Sequence, residues 1–392
     1  MLSHKYLLNP DGETAEKLTA SIDAFRYVYN HTLERLNEAK KMGVKLSEVD
    51  LINELPTLKK EHPLLAVPYS HALQTVVRQL FANIRALAAL KKKGYKVGRL
   101  RFKNADRYKS FRYNSQGYKV NAERQTVWFA KIGEIPFRMH RPLPPGEIVG
   151  VIIKRSTGKW YVSFQVETQA VPLDSTGKTV GIDLGLKSYA VDTDGHRFEN
   201  PRYLRKSEVR VKKLQRSLSR KKNGSHNREK AKMKLAKAHD RVENQRRDHA
   251  HKLSRFYVDN YDIIVVEDLN TKHLKEKDDN KGMRKSIHDA GWARFLSYPD
   301  YKAEGAGRQL IRVEPRGTTQ QCSCCGATVL KTLKERVHEC PYCGLVRDRD
   351  LNTAYNILIA GMGHAEEPVE PLPLLDLTVE QAMGMKQETT AP

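Results

Sequence analysis

Two cysteine pairs, Cys322-x-x-Cys325 and Cys340-x-x-Cys343, stand about fifteen residues apart, and a glycine follows each pair, Gly326 and Gly344. Thiolates at this spacing are the donor set of a closed tetrahedral zinc site, and the glycines let each knuckle turn tightly. All five cysteines of the chain lie in this stretch. That clustering speaks for metal, since a disulfide framework would spread them and needs an oxidising compartment. Cys324 is the spare; the C-x-x-C spacing favours Cys322 with Cys325 over Cys322-x-Cys324. His338, two residues before Cys340, is a weak alternative ligand.

Three acidic segments carry a second chemistry. In KTVGIDLGLKSYAVDTDGHRFEN (178–200), strand alternation puts Gly181, Asp183 and Gly185 on one face and Ile182 and Leu184 on the other. A carboxylate flanked by glycines suits a place where a cation and a phosphate backbone approach a strand. A surface strand with a turn-forming Asp is the plainer alternative. The apolar run YDIIVVEDLN (261–270) reads as a strand buried on both faces and ends in Glu267 and Asp268. Their side chains point to opposite faces, so only one can join Asp183; Glu267 shares a side with Ile263 and Val265. DRDLNTAYNILIAG (348–361) opens a helix with Leu351, Ala354, Tyr355 and Leu358 as its buried stripe and Gly361 as its stop. Asp348 or Asp350 could serve only as an N-cap there. Taken together, acids from two strands and one helix start suit a phosphodiester site with two Mg²⁺ ions about 4 Å apart, manganese being a possible substitute. Like charges this close need the metals to coexist.

These groups need elements to hold them. Thr179 to Asn200 reads as two strands and a hairpin turn at Asp194-Gly195. Residues 202–255 read as two basic helices, with about twenty Lys and Arg, Arg220, Lys221 and Lys222 among them, and few acids. A one-signed run this long argues for a phosphate-tracking surface over a merely solvated face. Upstream, Glu13 to Lys41 is helical, with Phe25, Val28, Tyr29, Thr32, Leu33 and Leu36 on one face. A second helix repeats Leu73, Val76, Val77, Leu80, Phe81, Ile84 and Leu87, with Arg78 and Arg85 off that stripe. The linker 90–113 interleaves Tyr108, Phe111 and Tyr113 with Arg107, Lys109 and Arg112, a pattern for rings on bases and cations on phosphates. Residues 117–167 have β texture with a Thr157-Gly158 turn, which suits a small barrel that the N-terminal strand could complete. The stretch from Gly361 is acidic, rich in proline and aperiodic, and reads as a largely disordered tail.

The 392 residues carry a formal charge of +23 and a pI near 9.7. A surplus of that size is relieved by a polyanion, nucleic acid before an acidic membrane. No apolar run approaches the roughly twenty residues of a membrane helix, and the first residues carry no signal-peptide core. The expectation is a cytoplasmic, monomeric protein with no membrane partner. The histidines form no nucleophile and base pattern, and no glycine-rich phosphate loop appears.

The order DLG, EDLN, TTQQCSCCG, CPYCG, DRDLNTAYNI resembles the TnpB family of insertion-sequence proteins, RNA-guided nucleases related to type V CRISPR effectors. FRYVYNHTLER, YKSFRY and SIHDAGWARF are similar to TnpB segments as well. The resemblance implies an α/β multidomain fold: a RuvC/RNase H-like nuclease domain (176–315 and 346–362) with an inserted zinc ribbon (316–345). It also implies a wedge-like β-barrel (1–10 and 95–175) with an inserted helical recognition lobe (11–94), and it leaves 363–392 as the acidic tail. The implied partners are a guide RNA, the ωRNA, and a double-stranded DNA target, met in a prokaryotic cytoplasm at the nucleoid. Carried over by motif, Asp183, Glu267 and Asp350 are the catalytic, Mg²⁺-holding acids. The segment YSHALQ matches a region facing the target-adjacent duplex, and its Gln74 is a candidate adenine reader. Pro299 departs from the family pattern and predicts a shortened or kinked helix after Phe295. Two other readings use the same residues: an RNA-guided repressor without cleavage, and a DNA-joining transposase. Loss of an acid marks the repressors, and this chain keeps all three.

Overall fold

The computed structural model describes residues 1–114, 116–277, 280–315, 317–332, 335–363 and 373–388, in two compact units, 1–169 and 170–392. The first unit runs β1 (Leu2–Leu8), α1 (Gly12–Lys41), α2 (Glu48–Asn53), α3 (Leu55–Glu61) and α4 (Ser70–Lys92). It continues with β2 (Ser110–Asn114), β3 (Tyr118–Asn121), β4 (Thr126–Phe129), β5 (Gly133–Arg138), β6 (Glu147–Ser156) and β7 (Lys159–Glu167). These strands form a seven-stranded sheet in the order β2-β6-β7-β1-β5-β4-β3. The N-terminal strand therefore lies inside the sheet, antiparallel to β7 and β5, and the helices are an insertion between β1 and β2. Asp11 starts α1 by accepting from the Thr14 N–H at 2.8 Å. The β6–β7 turn places Thr157 and Gly158 at φ 50° and 79°, the geometry of a tight hairpin. Phe25, Val28, Leu73 and Val77 of the helices share one buried core with Tyr6, Phe129 and Phe164 of the strands.

Phe111 and Tyr113, read above as base-stacking rings, belong to that core. Phe111 is 4% exposed and stacks on Phe25 at 4.7 Å; Tyr113 is 1% exposed and meets Phe129 at 5.3 Å. Alternation along β2 turns both rings inward, so neither can reach a base. Tyr108 is half-buried and packs near Tyr29.

The second unit runs β8 (Thr179–Leu184), β9 (Ser188–Asp192), β10 (His196–Glu199), α5 (Tyr203–Ser219), α6 (His226–Asn260) and β11 (Ile263–Glu267). It continues with α7 (Thr271–Lys277), α8 (Lys281–Ala290), α9 (Trp292–Ala306), β12 (Gln309–Val313), β13 (Val337–Glu339) and β14 (Val346–Asp348). It ends with α10 (Arg349–Met362), β15 (Leu375–Leu377) and α11 (Val379–Glu388). Six strands form one sheet in the order β12-β11-β8-β9-β10-β15, with β8, β11 and β12 parallel and β9 reversed. α10 packs on one face through Val265, Ile357 and Leu358; the larger core on the sheet's other side includes Val180, Ile182, Leu253 and Phe295. β13 and β14 form a separate two-stranded ribbon.

Three expectations need correction here. The stretch read as a disordered tail is strand and helix over 375–388: β15 joins β10 in parallel, and Leu377, Val379 and Ala382 are buried. These apolar residues are too few to show a period, but an open sheet edge offers them backbone bonds. The parts at 364–372 and 389–392 lie outside the described residues. Pro299 does not shorten its helix, since α9 runs on to Ala306 with Pro299 buried. Arg312 supports this turn by donating to the Leu296 carbonyl at 2.9 Å and to Asp300. Gly361, expected to stop α10, lies within the helix, which is capped at Gly363.

Candidate active site and four-cysteine centre

The parallel register of β8 and β11 pairs Gly181 with Val265 and Ile182 with Val266. The next residue on each strand is the acid, so Asp183 and Glu267 leave the sheet side by side. Asp350 comes from the first turn of α10, which lies against the same face. The approach depends on glycine: a Cβ at Gly181 would lie 2.3 Å from the Ala354 carbonyl oxygen, and one at Gly361 would lie 2.5 Å from Val265. Asp348 caps α10, accepting from the N–H groups of Asp350 and Leu351 at 2.9 and 3.2 Å. Capping by Asp348 settles the choice left open by the sequence, because it frees the Asp350 side chain to face the other acids. Asp348 is itself held by Arg197 at 2.7 Å.

The electrostatics register the crowding. Asp183 keeps a part-exposed edge yet is densely surrounded, and burial first, then Glu267 and Asp350, hold its carboxyl well above the ordinary carboxylate range. Burial also raises Glu267, while the Thr318 hydroxyl, donating at 2.7 Å, acts the other way. Arg336 and Arg349 lie 3.8 and 3.6 Å from Asp350. Asp268, on the opposite side of its strand, is 72% exposed beside Arg312 and takes no part.

The four expected cysteines converge. Among the described residues, Cys322, Cys325, Cys340 and Cys343 are the set whose ligand atoms all lie within 4.8 Å of one another. Two cross-pairs stand at 3.6 Å, close to the roughly 3.8 Å edge of a tetrahedron with metal–sulfur bonds of about 2.3 Å. The knuckles match each other: Gly326 and Gly344 donate to the Cys322 and Cys340 carbonyls at 2.9 Å, with φ 73° and 77°. Cys324 is exposed and outside the set. His338 is buried and contacts Lys331, so it is no ligand.

The remaining sequence candidates differ in exposure. Arg107, Lys109, Arg220 and Lys222 are exposed, Lys221 and Arg112 half-buried. Gln74 is half-buried on α4, and the exposed Arg78 lies 3.9 Å from Glu48. Sequence reading missed Thr318, Asn352 and Asn356, which fasten the cysteine loop to the acids. Two asparagines four apart, beside the apolar stripe of α10, were the available signal.

Family profiles match three parts of the chain. Residues 162–278 match the OrfB_IS605 family, described as a probable transposase; residues 292–357 match a Cas12f1-like TNB domain; residues 1–45 match a helix-turn-helix domain. In this structure 1–45 hold β1 and the single long helix α1. The chain is 30% identical over 381 residues to "Putative RNA-guided DNA endonuclease InsQ" of Escherichia coli (strain K12), covering 91% of each. It is 34% identical over 370 residues to a Streptomyces pristinaespiralis protein named "Putative RNA-guided DNA endonuclease", covering 91% of this chain and 89% of the relative. The solved mini-RNA-guided endonuclease CRISPR-Cas_phi3 aligns over 94% of this chain and 93% of its own with a TM-score of 0.53 at 10% identity, a likeness of fold alone. Similarity along nearly the whole chain, with matched profiles over β8, β11, the cysteines and the start of α10, places this protein in the TnpB family.

Proposed function

We propose that this protein is an RNA-guided, Mg²⁺-dependent DNA endonuclease that cleaves with a single site. The carrying observation is the convergence of Asp183, Glu267 and Asp350 from β8, β11 and α10 on one end of a sheet. The strand order, with β9 reversed beside β8 and β11 and β12 parallel to it, supports an RNase H-like, RuvC-type domain. On this reading the cysteine centre is a structural zinc ribbon inserted between β12 and α10. The seven-stranded unit is the wedge-like barrel with its helical lobe.

The donor set fits the ions. Three carboxylates, of which Glu267 and Asp350 raise the proton affinity of Asp183, form a site for hard divalent cations. When bound, magnesium would neutralise phosphate charge and activate water. The chain's own residues prepare this: Thr318 orients Glu267, Asp348 frees Asp350, and Gly181 lets α10 close on Asp183. Exposed cations at Arg107, Lys109, Arg220 and Lys222 would track phosphates of guide and target, with Gln74 and Arg78 near the target-adjacent duplex.

Sequencing the RNA that co-purifies with the chain gives the guide, and a matched DNA target with Mg²⁺ gives the assay. Cleavage is expected with Mg²⁺ and none with chelator. Guided binding without any cutting would favour the repressor, and strand-transfer products the transposase.

A further inference from the structure

The cysteine centre and the acids share a hydrogen-bonded seam. Asn352 and Asn356, four residues apart on α10, are 0% and 7% exposed. Asn352 donates to the Gln321 carbonyl at 2.8 Å and accepts from the Ser323 N–H at 3.0 Å, so it grips both sides of Cys322. Asn356 donates to the Gln321 carbonyl at 2.8 Å and to the Thr318 carbonyl at 2.7 Å. Thr318, 5% exposed, then donates its hydroxyl to Glu267 at 2.7 Å. Arg347 adds a bond to the Ser323 hydroxyl at 3.0 Å and lies over the Tyr355 ring. One short segment, 318–323, therefore carries a cysteine ligand at one end and the orienting hydroxyl of Glu267 at the other, and the helix that bears Asp350 clamps it in between.

We infer that Thr318 and Asn356 are positioning residues through which the four-cysteine centre sets the Glu267 carboxylate for divalent-cation binding. The inference rests on the nuclease reading of the acids. Its physical basis is that a carboxylate ligand needs an outer partner to fix its rotamer. Loss of such a partner typically weakens metal affinity about 10- to 100-fold. Two buried amides making two bonds each give the segment one place to sit. The ribbon is thereby part of the acid site's scaffold, and filling it should be felt at Glu267.

The experiment uses the full chain with its co-purified RNA and four variants: Thr318→Val, Thr318→Ser, Asn356→Ala and Asp183→Asn. Three quantities are measured: zinc content, Mn²⁺ binding by the loss of the free-ion paramagnetic resonance signal, and the Mg²⁺ concentration for half-maximal cleavage. Thr318→Val keeps the side-chain shape, so it should keep its zinc. It should weaken Mn²⁺ binding about ten-fold and raise the Mg²⁺ requirement alike. Thr318→Ser should stay within about two-fold of the parent, and Asn356→Ala should move with Thr318→Val while retaining zinc. Unchanged Mn²⁺ binding in Thr318→Val, or equal weakening in Thr318→Ser and Thr318→Val, would overturn the inference. If Asp183→Asn still cleaves fully, the nuclease reading itself fails. If it is dead while Thr318→Val matches the parent, only the coupling fails.

Discussion

The cysteine centre and the acid site are built by opposite strategies. The four sulfurs come from two knuckles within one short stretch and gather within 4.8 Å of one another. The three acids come from positions 183, 267 and 350 and meet only because a sheet and a helix have formed and packed. The first centre is local, the kind of set whose metal can build a fold. The second is assembled by the fold.

The contrast is sharpest for Asp183→Asn. Ion-mediated charge stabilisation is worth several kcal/mol in the transition state, so cleavage should fall by about three powers of ten, while guided DNA binding, zinc content and thermal stability persist. A stable variant that cuts like the parent breaks the assignment. Cys340→Ser should act the other way: zinc is lost, the segment 318–350 loses its order, and cleavage fails together with resistance to proteolysis. Full cleavage with zinc absent would show that the two centres are independent. Gly181→Ala tests assembly without touching a ligand. Its methyl group would press on the Ala354 carbonyl, so a destabilisation of about 1–3 kcal/mol in thermal unfolding is expected, with cleavage reduced alongside.

A smaller effect concerns pH. Asp183 and Glu267 hold protons more tightly in the folded chain than ordinary carboxyls do. In chelator, their contribution to stability is complete below the ordinary carboxylate range near 4 and is lost as pH rises through their raised values. Melting curves across that window should show the decline in the parent and a weaker one in Asp183→Asn. Cys324→Ser should change least. Its thiol is exposed and outside the set, so zinc content and cleavage should stay at parental levels. Loss of zinc in Cys324→Ser but not in Cys325→Ser would exchange the two ligands.

How much of this was legible in the sequence follows the same division. The cysteine set could be read from spacing because its geometry is local. The acids could be read from strand alternation and from a run ending in Glu267. Their meeting was expected from the three segments taken together and from the family motifs, but the means of it, the β8–β11 register and the closeness of α10, was not legible. Phe111 and Tyr113 misled because basic neighbours in sequence suggested a surface, whereas alternation on β2 buries every second residue. Thr318 was invisible for a related reason: nothing local to TTQQ shows that a glutamate 51 residues earlier will be its partner.

The last strand adds a consequence for synthesis. β15 closes the free edge of β10, and Leu377, Val379 and Ala382 fill the hydrophobic core beside it. Until residue 382 has left the ribosome, that edge and those apolar seats stand open in a sheet that already contains β8 and β9. The sheet of the second unit is thus completed by its last strand. A product stopped short of Leu375 would carry an unpaired strand edge, with the tendency to associate that such edges bring.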